Sequence, residues 1–408
     1  MTARPAAELV IVSSGPGEVS NWAMPMAAAA GAWAARRGTP LTLSLILPPC
    51  QFASGQEAPY ARRLGVFARI LGPRDCLAVV TGLRRMPAVA RGSVLHLGGD
   101  FWYSSALGRR LGLPAFAYAE TPLIGRRAHR FQRVFLPSQA LADRLIASGV
   151  EPERLSVVGD LRVDHLSAFR AAGPSPRAGV HVALLPGSRR WIVGGFLPFL
   201  LETAKGIRAA RPDVAFSLIA SPFLSRENLA RILDARRETL RGLGVEVVQD
   251  DRLSALARCD LAITLPGTNT VELAIQGVPM LVVLPLDRPG RIRTEGLSEW
   301  LGRIPGLGAA IKGVMVRRFA RRPELLAWPN REAGRPVVPE MVGSVTPADA
   351  ARRAIGLLDD RSGLERMARE LRGLYSTPPG VAQRILDAMA PGFDAAPGHP
   401  SALSRAAR

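Results

Sequence analysis

Residues 259–279 read Cys-Asp-Leu-Ala-Ile-Thr-Leu-Pro-Gly-Thr-Asn-Thr-Val-Glu-Leu-Ala-Ile-Gln-Gly-Val-Pro. The apolar run Leu261–Leu265 is too short for a helix and has the length of a buried strand. Pro266-Gly267 breaks it. Thr270–Gln276 then reads as a helix that Gly277 and Pro279 stop. Strand, tight turn and helix in immediate succession is the repeating unit of a doubly wound sheet, in which strands covered on both faces carry continuous apolar runs. The turn has chemistry of its own. The leading N–H groups of a helix, together with its dipole, favour an anion. Gly267, Thr268, Asn269 and Thr270 are therefore candidate phosphate contacts, and Glu272, in the first turn, is a candidate acceptor for sugar hydroxyls. An ordinary helix start with a dipole-favoured glutamate fits the same residues.

The same plan extends in both directions. Met280–Leu284 is the next strand. Upstream, His181–Leu185 is a strand that runs into Leu184-Leu185-Pro186-Gly187-Ser188-Arg189, followed by a helix over Gly195–Ala210. Here Gly187 permits close backbone approach, Ser188 offers a hydroxyl and Arg189 a forked cation, at the strand end where open α/β sheets bind ligands. Ala215–Ala220 and Val245–Val248 are further strands, with one helix over Arg226–Leu243 between them and another over Leu253–Ala257. The N-terminal half repeats the alternation. Glu8–Ser13, Leu41–Leu47, Val94–Leu97, Ala115–Tyr118, Arg133–Leu136 and Leu155–Val158 read as strands, with helices over Trp22–Arg37, Ser104–Leu111 and Ser138–Ser148. Ala171–Gly179 is rich in Gly and Pro and reads as a linker. The expected organisation is α/β, two doubly wound Rossmann-like domains in series. Residues 1–170 form the first and 180–345 the second. Residues 346–390 are C-terminal helices expected to pack back on the first domain, and 391–408 a disordered tail.

Two turns in the first half complete the candidate set. Ser13-Ser14-Gly15-Pro16-Gly17-Glu18-Val19-Ser20-Asn21 follows the first strand, which points to Gly17, Glu18, Ser20 and Asn21 as ligand-facing, although the spacing is not G-x-G-x-x-G. Gly98-Gly99-Asp100 follows Val94–Leu97. Asp100 can serve there as a general base or simply as a helix N-cap. Glu120, after Ala115–Tyr118, is a second carboxylate at a strand end. His96 lies inside its strand and reads as a packed core residue.

Composition narrows the class. The 408 residues carry a formal net charge of +19, with only two lysines among the cations. The arginines are scattered, often in pairs, rather than set in a stripe interleaved with aromatics. Nucleic acid is thus not the expected partner, whereas phosphorylated ligands or an anionic membrane surface are. Three cysteines without a C-x-x-C spacing fit neither a disulfide framework nor a zinc site. No histidine pair or D-x-D at a strand end suggests a metal, so none is expected. There is no signal-peptide pattern and no apolar run of the ~20 residues that a span needs. The expected location is cytoplasmic, peripheral to the inner face of the cytoplasmic membrane.

Taken together and in order, these stretches resemble lipid-A-disaccharide synthase. Leu184–Arg189 with Leu197-Pro198-Phe199-Leu200 is similar to that family's LPGSR…LLP segment. Cys259–Pro279 is similar to its segment around SGTATLELAL. Trp328-Pro329-Asn330 with Val337-Val338-Pro339-Glu340 is similar to its LPN…VVPE stretch. Gly17-Glu18-Val19-Ser20 and Gly99-Asp100-Phe101 are weaker counterparts of GEASGD and PDF. The resemblance implies the GT-B fold, two doubly wound domains with a cleft between them. It implies a UDP-sugar donor on the second domain, with Arg189 and Gly267–Thr270 on the diphosphate and Glu272 and Asn330 toward the nucleoside or sugar. It further implies Asp100 as base, an inverting, metal-independent transfer without a cofactor, a lipid-linked sugar acceptor, and a homodimer. The GEASGD counterpart loses its final Gly-Asp to Asn21-Trp22, and Ala119–Ile124 matches nothing in the family's SPSVWAW stretch. A UDP-sugar epimerase or hydrolase on the same fold, or a non-catalytic nucleotide-sugar or lipid-binding protein, remains an alternative.

Overall fold

A computed structural model of the chain describes residues 6–51, 53–86, 89, 91–170, 179–286 and 325–394. Residues 171–178 of the expected linker and 395–408 of the expected tail lie outside that set. The chain divides into two compact units, one comprising Met1–His165 and Thr377–Arg408, the other Leu166–Ser376.

In the first unit, β1 (Ala7–Val12), β2 (Leu41–Ile46), β3 (Arg69–Leu71), β4 (Gly92–His96), β5 (Ala115–Tyr118), β6 (Arg133–Leu136) and β7 (Leu155–Val157) form one sheet in the order β3-β2-β1-β4-β5-β6-β7. Every pairing is parallel. Alternate residues such as Val10, Val12, Val94, Ala117, Val134 and Leu136 are buried in one continuous core. In the second unit, β8 (His181–Leu185), β9 (Ala215–Ile219), β10 (Glu246–Val248), β11 (Leu261–Thr264), β12 (Met280–Pro285) and β13 (Glu340–Gly343) run parallel in the order β10-β9-β8-β11-β12-β13. Val182, Leu184, Leu261, Ile263, Leu281 and Val283 bury one face against Leu197, Leu200, Leu201 and Ala204 of the helix Arg190–Ala210. Each such buried side chain stabilises by ~1.5–3 kcal/mol.

The strand order fixes where ligands belong. Each sheet winds one way from its first strand and then the other way, so the order reverses between β1 and β4 and between β8 and β11. Chain connections leave such a switch point in opposite directions, opening a crevice beyond the carboxyl ends of the strands. The two parallel doubly wound sheets make a GT-B fold.

The C-terminal helices differ from expectation. Pro347–Asp359 packs on Arg190–Ala210, and Arg361–Leu374 packs on Asn269–Gln276, all within the second unit. Only Val381–Asp394 belongs to the first unit, lying on Met24–Arg37 and β4. Its start is capped by Asp164, which accepts from the amides of Gly380, Val381 and Ala382 at 2.7, 2.9 and 2.7 Å. Its flank is held by Trp33 Nε1 donating to Asp387 at 2.8 Å. Residues 391–394 are thus helical rather than part of a tail. The helix expected over Arg226–Leu243 is two, Arg226–Asp234 and Arg237–Gly242. No described helix is long and apolar enough to cross a membrane.

Candidate functional site

In the second unit, β8 and β11 are neighbours, with Leu185 paired to Thr264. The turns that leave them, Pro186–Arg189 and Leu265–Thr268, therefore start side by side at the switch point. Gly187 adopts φ +102°, and a Cβ there would stand 2.8 Å from Ile192 Cγ2 and 3.8 Å from Leu265 Cδ1, so glycine is required for this turn. In front of Gly267, by contrast, no atom of the described residues outside the turn itself lies within 4 Å of where a Cβ would be. Both turns run into helices whose N-caps, Arg189 and Thr268, make no side-chain capping bond. At the second helix the amides of Thr270, Val271 and Glu272 already donate to Gly267 O, Thr268 O and Thr268 O at 3.0, 3.1 and 3.2 Å, so the amides placed to meet a ligand are those of the turn ahead of them, Thr268 and Asn269. Gly187, Ser188, Arg189, Gly267, Thr268 and Asn269 are all at least partly accessible on this ground.

Three residues expected here have other work. Thr270 is fully buried, donates its hydroxyl to Gly267 O (2.7 Å) and accepts from the Trp328 amide (3.2 Å). It locks the turn rather than contacting a ligand. Asn330 is 0% exposed. Its Oδ1 accepts from the Val337 and Val338 amides (2.7 and 2.8 Å), and its Nδ2 donates to Val338 O (2.9 Å) and Glu340 Oε1 (2.6 Å). An amide side chain offers two donors and two acceptor lone pairs, and all four are used, which corrects its expected place at the nucleoside or sugar. Glu272 is 4% exposed and forms a two-pronged ion pair with Arg252, Nη1–Oε2 at 2.5 Å and Nη2–Oε1 at 3.3 Å. A carboxylate has further lone pairs, so Glu272 keeps capacity for a hydroxyl. Arg252 itself, one scattered arginine among many and twenty positions away, carried no local signal.

In the first unit the equivalent ground lies after β1 and β4, where Val12 pairs with His96. The chain turns through Ser13–Gly15, a short helix Pro16–Glu18 and a π-helical turn Val19–Ala23, before Met24–Arg37 begins. π-Turns inside helices recur at functional sites. Glu18 extends from this turn across Gly15 and Gly98. A Cβ at Gly98 would come within 2.7 Å of Glu18 Cγ, so the Gly98 backbone makes the room this side chain occupies. Ser14, just beside it, is 3.2 Å from where a Gly99 Cβ would be, which brings the β1 and β4 turns into contact. The hydroxyls of Ser13 and Ser14 are buried and have no hydrogen-bond partner among the described residues.

Asp100 is exposed and caps the helix Phe101–Leu111, accepting from Trp102 N at 2.8 Å. It is thus both the cap and a carboxylate open to solvent. His96 is buried against Phe101, with Nδ1 2.8 Å from Ser104 Oγ, and desolvation lowers its pKa to about 3, Asp100 opposing weakly. It is a neutral core residue. Ser20 turns its hydroxyl onto Pro16 O (3.0 Å) and Gly17 O (3.3 Å), and Asn21 is buried. Gly17 is half-buried. Glu120 is held by Arg162, which also grips Asp160 through Nε–Oδ1 (2.9 Å) and Nη2–Oδ2 (2.7 Å). Beside them the Tyr118 hydroxyl donates to Gly159 O (3.3 Å) and accepts from Leu161 N (3.1 Å), and burial raises this phenol well above its usual range. Ser20 therefore serves the scaffold through its hydroxyl, which corrects its expected ligand-facing role, and Glu18, Asp100 and the Arg162-paired Glu120 are the carboxylates near these strand ends. Among the described residues no group of three or more His, Cys, Asp or Glu side chains is placed to hold a metal ion.

Part of the second unit matches a known family. Residues 175–288, which include both turns of the second unit, match the family model described as lipid-A-disaccharide synthetase. A lipid-A-disaccharide synthase of Geobacter sulfurreducens is 31% identical over 214 residues, 50% of this chain and 48% of the relative. One of Thiobacillus denitrificans is 28% identical over 314 residues, 73% of this chain and 75% of the relative. The chain spans about half the length of the first of these relatives. In fold it is similar to a UDP-GlcNAc 2-epimerase of Neisseria meningitidis solved with UDP-GlcNAc bound, at TM-score 0.53 and 12% identity, over 94% of this chain and 99% of the other.

Proposed function

We propose, from this kinship with the lipid-A-disaccharide synthases, that the chain is a glycosyltransferase that moves a sugar from a UDP-sugar to a lipid-linked acceptor. The observation that carries the reading is that the matched segment, residues 175–288, includes both turns at the second unit's switch point. Gly187, Ser188, Arg189, Gly267, Thr268 and Asn269 would hold the diphosphate with backbone N–H groups, hydroxyls and one guanidinium, and Glu272 would accept from ribose hydroxyls. An acceptor O–H would attack the anomeric carbon as the bond to the UDP oxygen breaks. Asp100 takes the proton, and the configuration inverts. Helix N-termini and Arg189 stabilise the negative charge gathering on UDP, so the chemistry needs no cofactor.

A lipid acceptor suits the first unit's surface. Trp102 and Leu123 are 42% and 75% exposed, each just past the carboxyl end of one of the neighbouring strands β4 and β5. Arg126, Arg127 and Arg130 are exposed on the segment that follows. Apolar side chains ringed by arginine favour the surface of an anionic membrane. A homodimer belongs to the same proposal, through kinship alone.

The test is UDP release across a panel of UDP-sugars, with and without lipid extract from the source cell. Release is expected only with lipid, and Asp100→Asn, which keeps an acceptor for the Trp102 amide, is expected to bind UDP-sugar normally and lose turnover. Epimer or free sugar formed without lipid would overturn the transferase reading, and wild-type turnover in Asp100→Asn would remove the base.

A further inference from the structure

The second sheet has a second opening, at the edge opposite the two turns. Where β8, β11 and β12 begin, a cavity of about 280 Å³ lies against the helix Arg361–Leu374. Pro279, Leu358, Leu364 and Ala368 give it an apolar side. Its other side carries Arg372, whose side chain lies across Gly277. A Cβ at Gly277 would stand 2.6 Å from Arg372 Nη1 and 2.7 Å from its Cγ, so only glycine admits the arginine there. Nη1 is buried and donates to no oxygen among the described residues. A buried donor left without an acceptor costs ~1–3 kcal/mol, more when charged.

The acids lining the cavity do not meet this demand. Asp260 accepts from the His181 amide at 2.8 Å, and Glu365 lies 3.6 Å from Arg361. Arg369, exposed at the rim, adds another cation. A cavity with an apolar wall, the Arg372 guanidinium in its lining, and a further arginine at its mouth has a defined complement. We propose that it binds a small amphiphilic anion, a carboxylate or phosphate monoester on an apolar body, with the anionic group on Arg372 and the body against Leu358, Leu364 and Pro279. The site is separate from the two turns at the switch point, and its occupant is not the sugar donor.

Calorimetry of the full chain, saturated with UDP to fill the donor turns, tests this with octyl phosphate and octanoate below their micellar concentrations. One-to-one saturable binding of either is expected. Octanol and inorganic phosphate, each offering half of the complement, are expected to bind at least tenfold more weakly. Arg372→Gln should weaken octyl phosphate tenfold or more, while Arg226→Ala, remote and paired with Asp250, should leave it unchanged. No saturable binding of either amphiphile, inorganic phosphate as tight as octyl phosphate, or an Arg372→Gln protein that melts and binds as wild type each overturns the proposal. Should Arg372→Gln fail to fold, Ala368→Leu decides. It fills the apolar side without touching a charge, and unimpaired binding in that variant overturns the proposal equally.

Discussion

Replacing Glu272 by glutamine separates two functions that the structure assigns to one carboxylate. Glu272 and Arg252 have side chains only 5% and 13% exposed and are joined by two contacts, at 2.5 and 3.3 Å. The pair ties the helix Arg252–Ala257 to Asn269–Gln276, the helix that opens on the Gly267 turn. Removing one member of a buried ion pair leaves the other charge uncompensated and costs ~3–5 kcal/mol. Arg252 keeps some access to water, so the lower end applies, about 3 kcal/mol, or on the order of a hundredfold in the folded-to-unfolded ratio. For a unit of this size that corresponds to a melting shift of roughly 6–12 °C. Arg252→Gln should cost a similar amount, and the double variant much less than the sum, because both single changes remove the same pair. Ligand binding should divide the two variants. A hydrogen bond to a charged acceptor contributes ~1.5–3 kcal/mol, so Glu272→Gln should lower UDP affinity by roughly 10- to 100-fold. Arg252→Gln, which leaves the carboxylate in place, should lower it far less. Urea melts and UDP calorimetry on the three proteins measure both quantities. Additive stabilities would refute the buried-pair argument. A stability loss in Glu272→Gln with unchanged UDP affinity would mean that Glu272 serves Arg252 alone.

Two further outcomes follow from the same geometry. His96, held neutral by burial, has a folded pKa near 3 against an ordinary 6.5. The unfolded chain then binds the extra proton, so this stabilisation is complete above pH 6.5 and is lost as pH falls toward 3, by about 2 kcal/mol at pH 5; urea midpoints of wild type and His96→Asn should converge with falling pH, and parallel curves would refute it. Asn330→Leu should cost ~2–4 kcal/mol by stranding the Val337 and Val338 amides yet leave UDP affinity of the folded protein unchanged, and a calorimetric loss of UDP binding at full folding would restore Asn330 to the ligand.

The strands were legible because parallel strands covered on both faces have no polar alternation, and Leu261–Thr264 or Val94–His96 stand out between turns. Of the four edge strands, β7 and β10 were legible, but β3 and β13 were not. β3 is three residues long and begins with Arg69, and β13 begins with Glu340, whose carboxylate accepts from the Leu326 and Ala327 amides at 3.0 and 2.9 Å. Half-exposed edges tolerate charge and so lose the apolar signature. The reading of Arg226–Leu243 as one helix failed for a related reason. Its apolar positions keep helical spacing through a break that the sequence marks with neither Gly nor Pro. The turns at the switch points were visible from their glycines, but the function of each polar side chain in them was not. Asn330 and Thr270 look like ligand residues in sequence, because residue type reports hydrogen-bonding capacity and not whether the chain itself already uses it.

That distinction also orders the residues that remain. At the second switch point Thr270 has its hydroxyl committed and Asn330 its whole amide. What they hold in place is a turn whose central glycine meets no described atom outside the turn within 4 Å of where a Cβ would be. At the first, Ser20 bonds back to its own helix and Glu120 is clasped by Arg162, while Glu18 lies over Gly98 and Asp100 stays open to solvent. In both units scaffold residues fix the turns in advance, as a preorganised site requires, since donors aimed in advance need no reorganisation when charge develops. Substitutions of the two groups should therefore fail differently. Changing Thr270, Asn330 or Ser20 should lower stability first and function only through it. Changing Thr268 or Asp100 should lower function at nearly constant stability, apart from the ~1 kcal/mol that a lost cap at Asp100 costs.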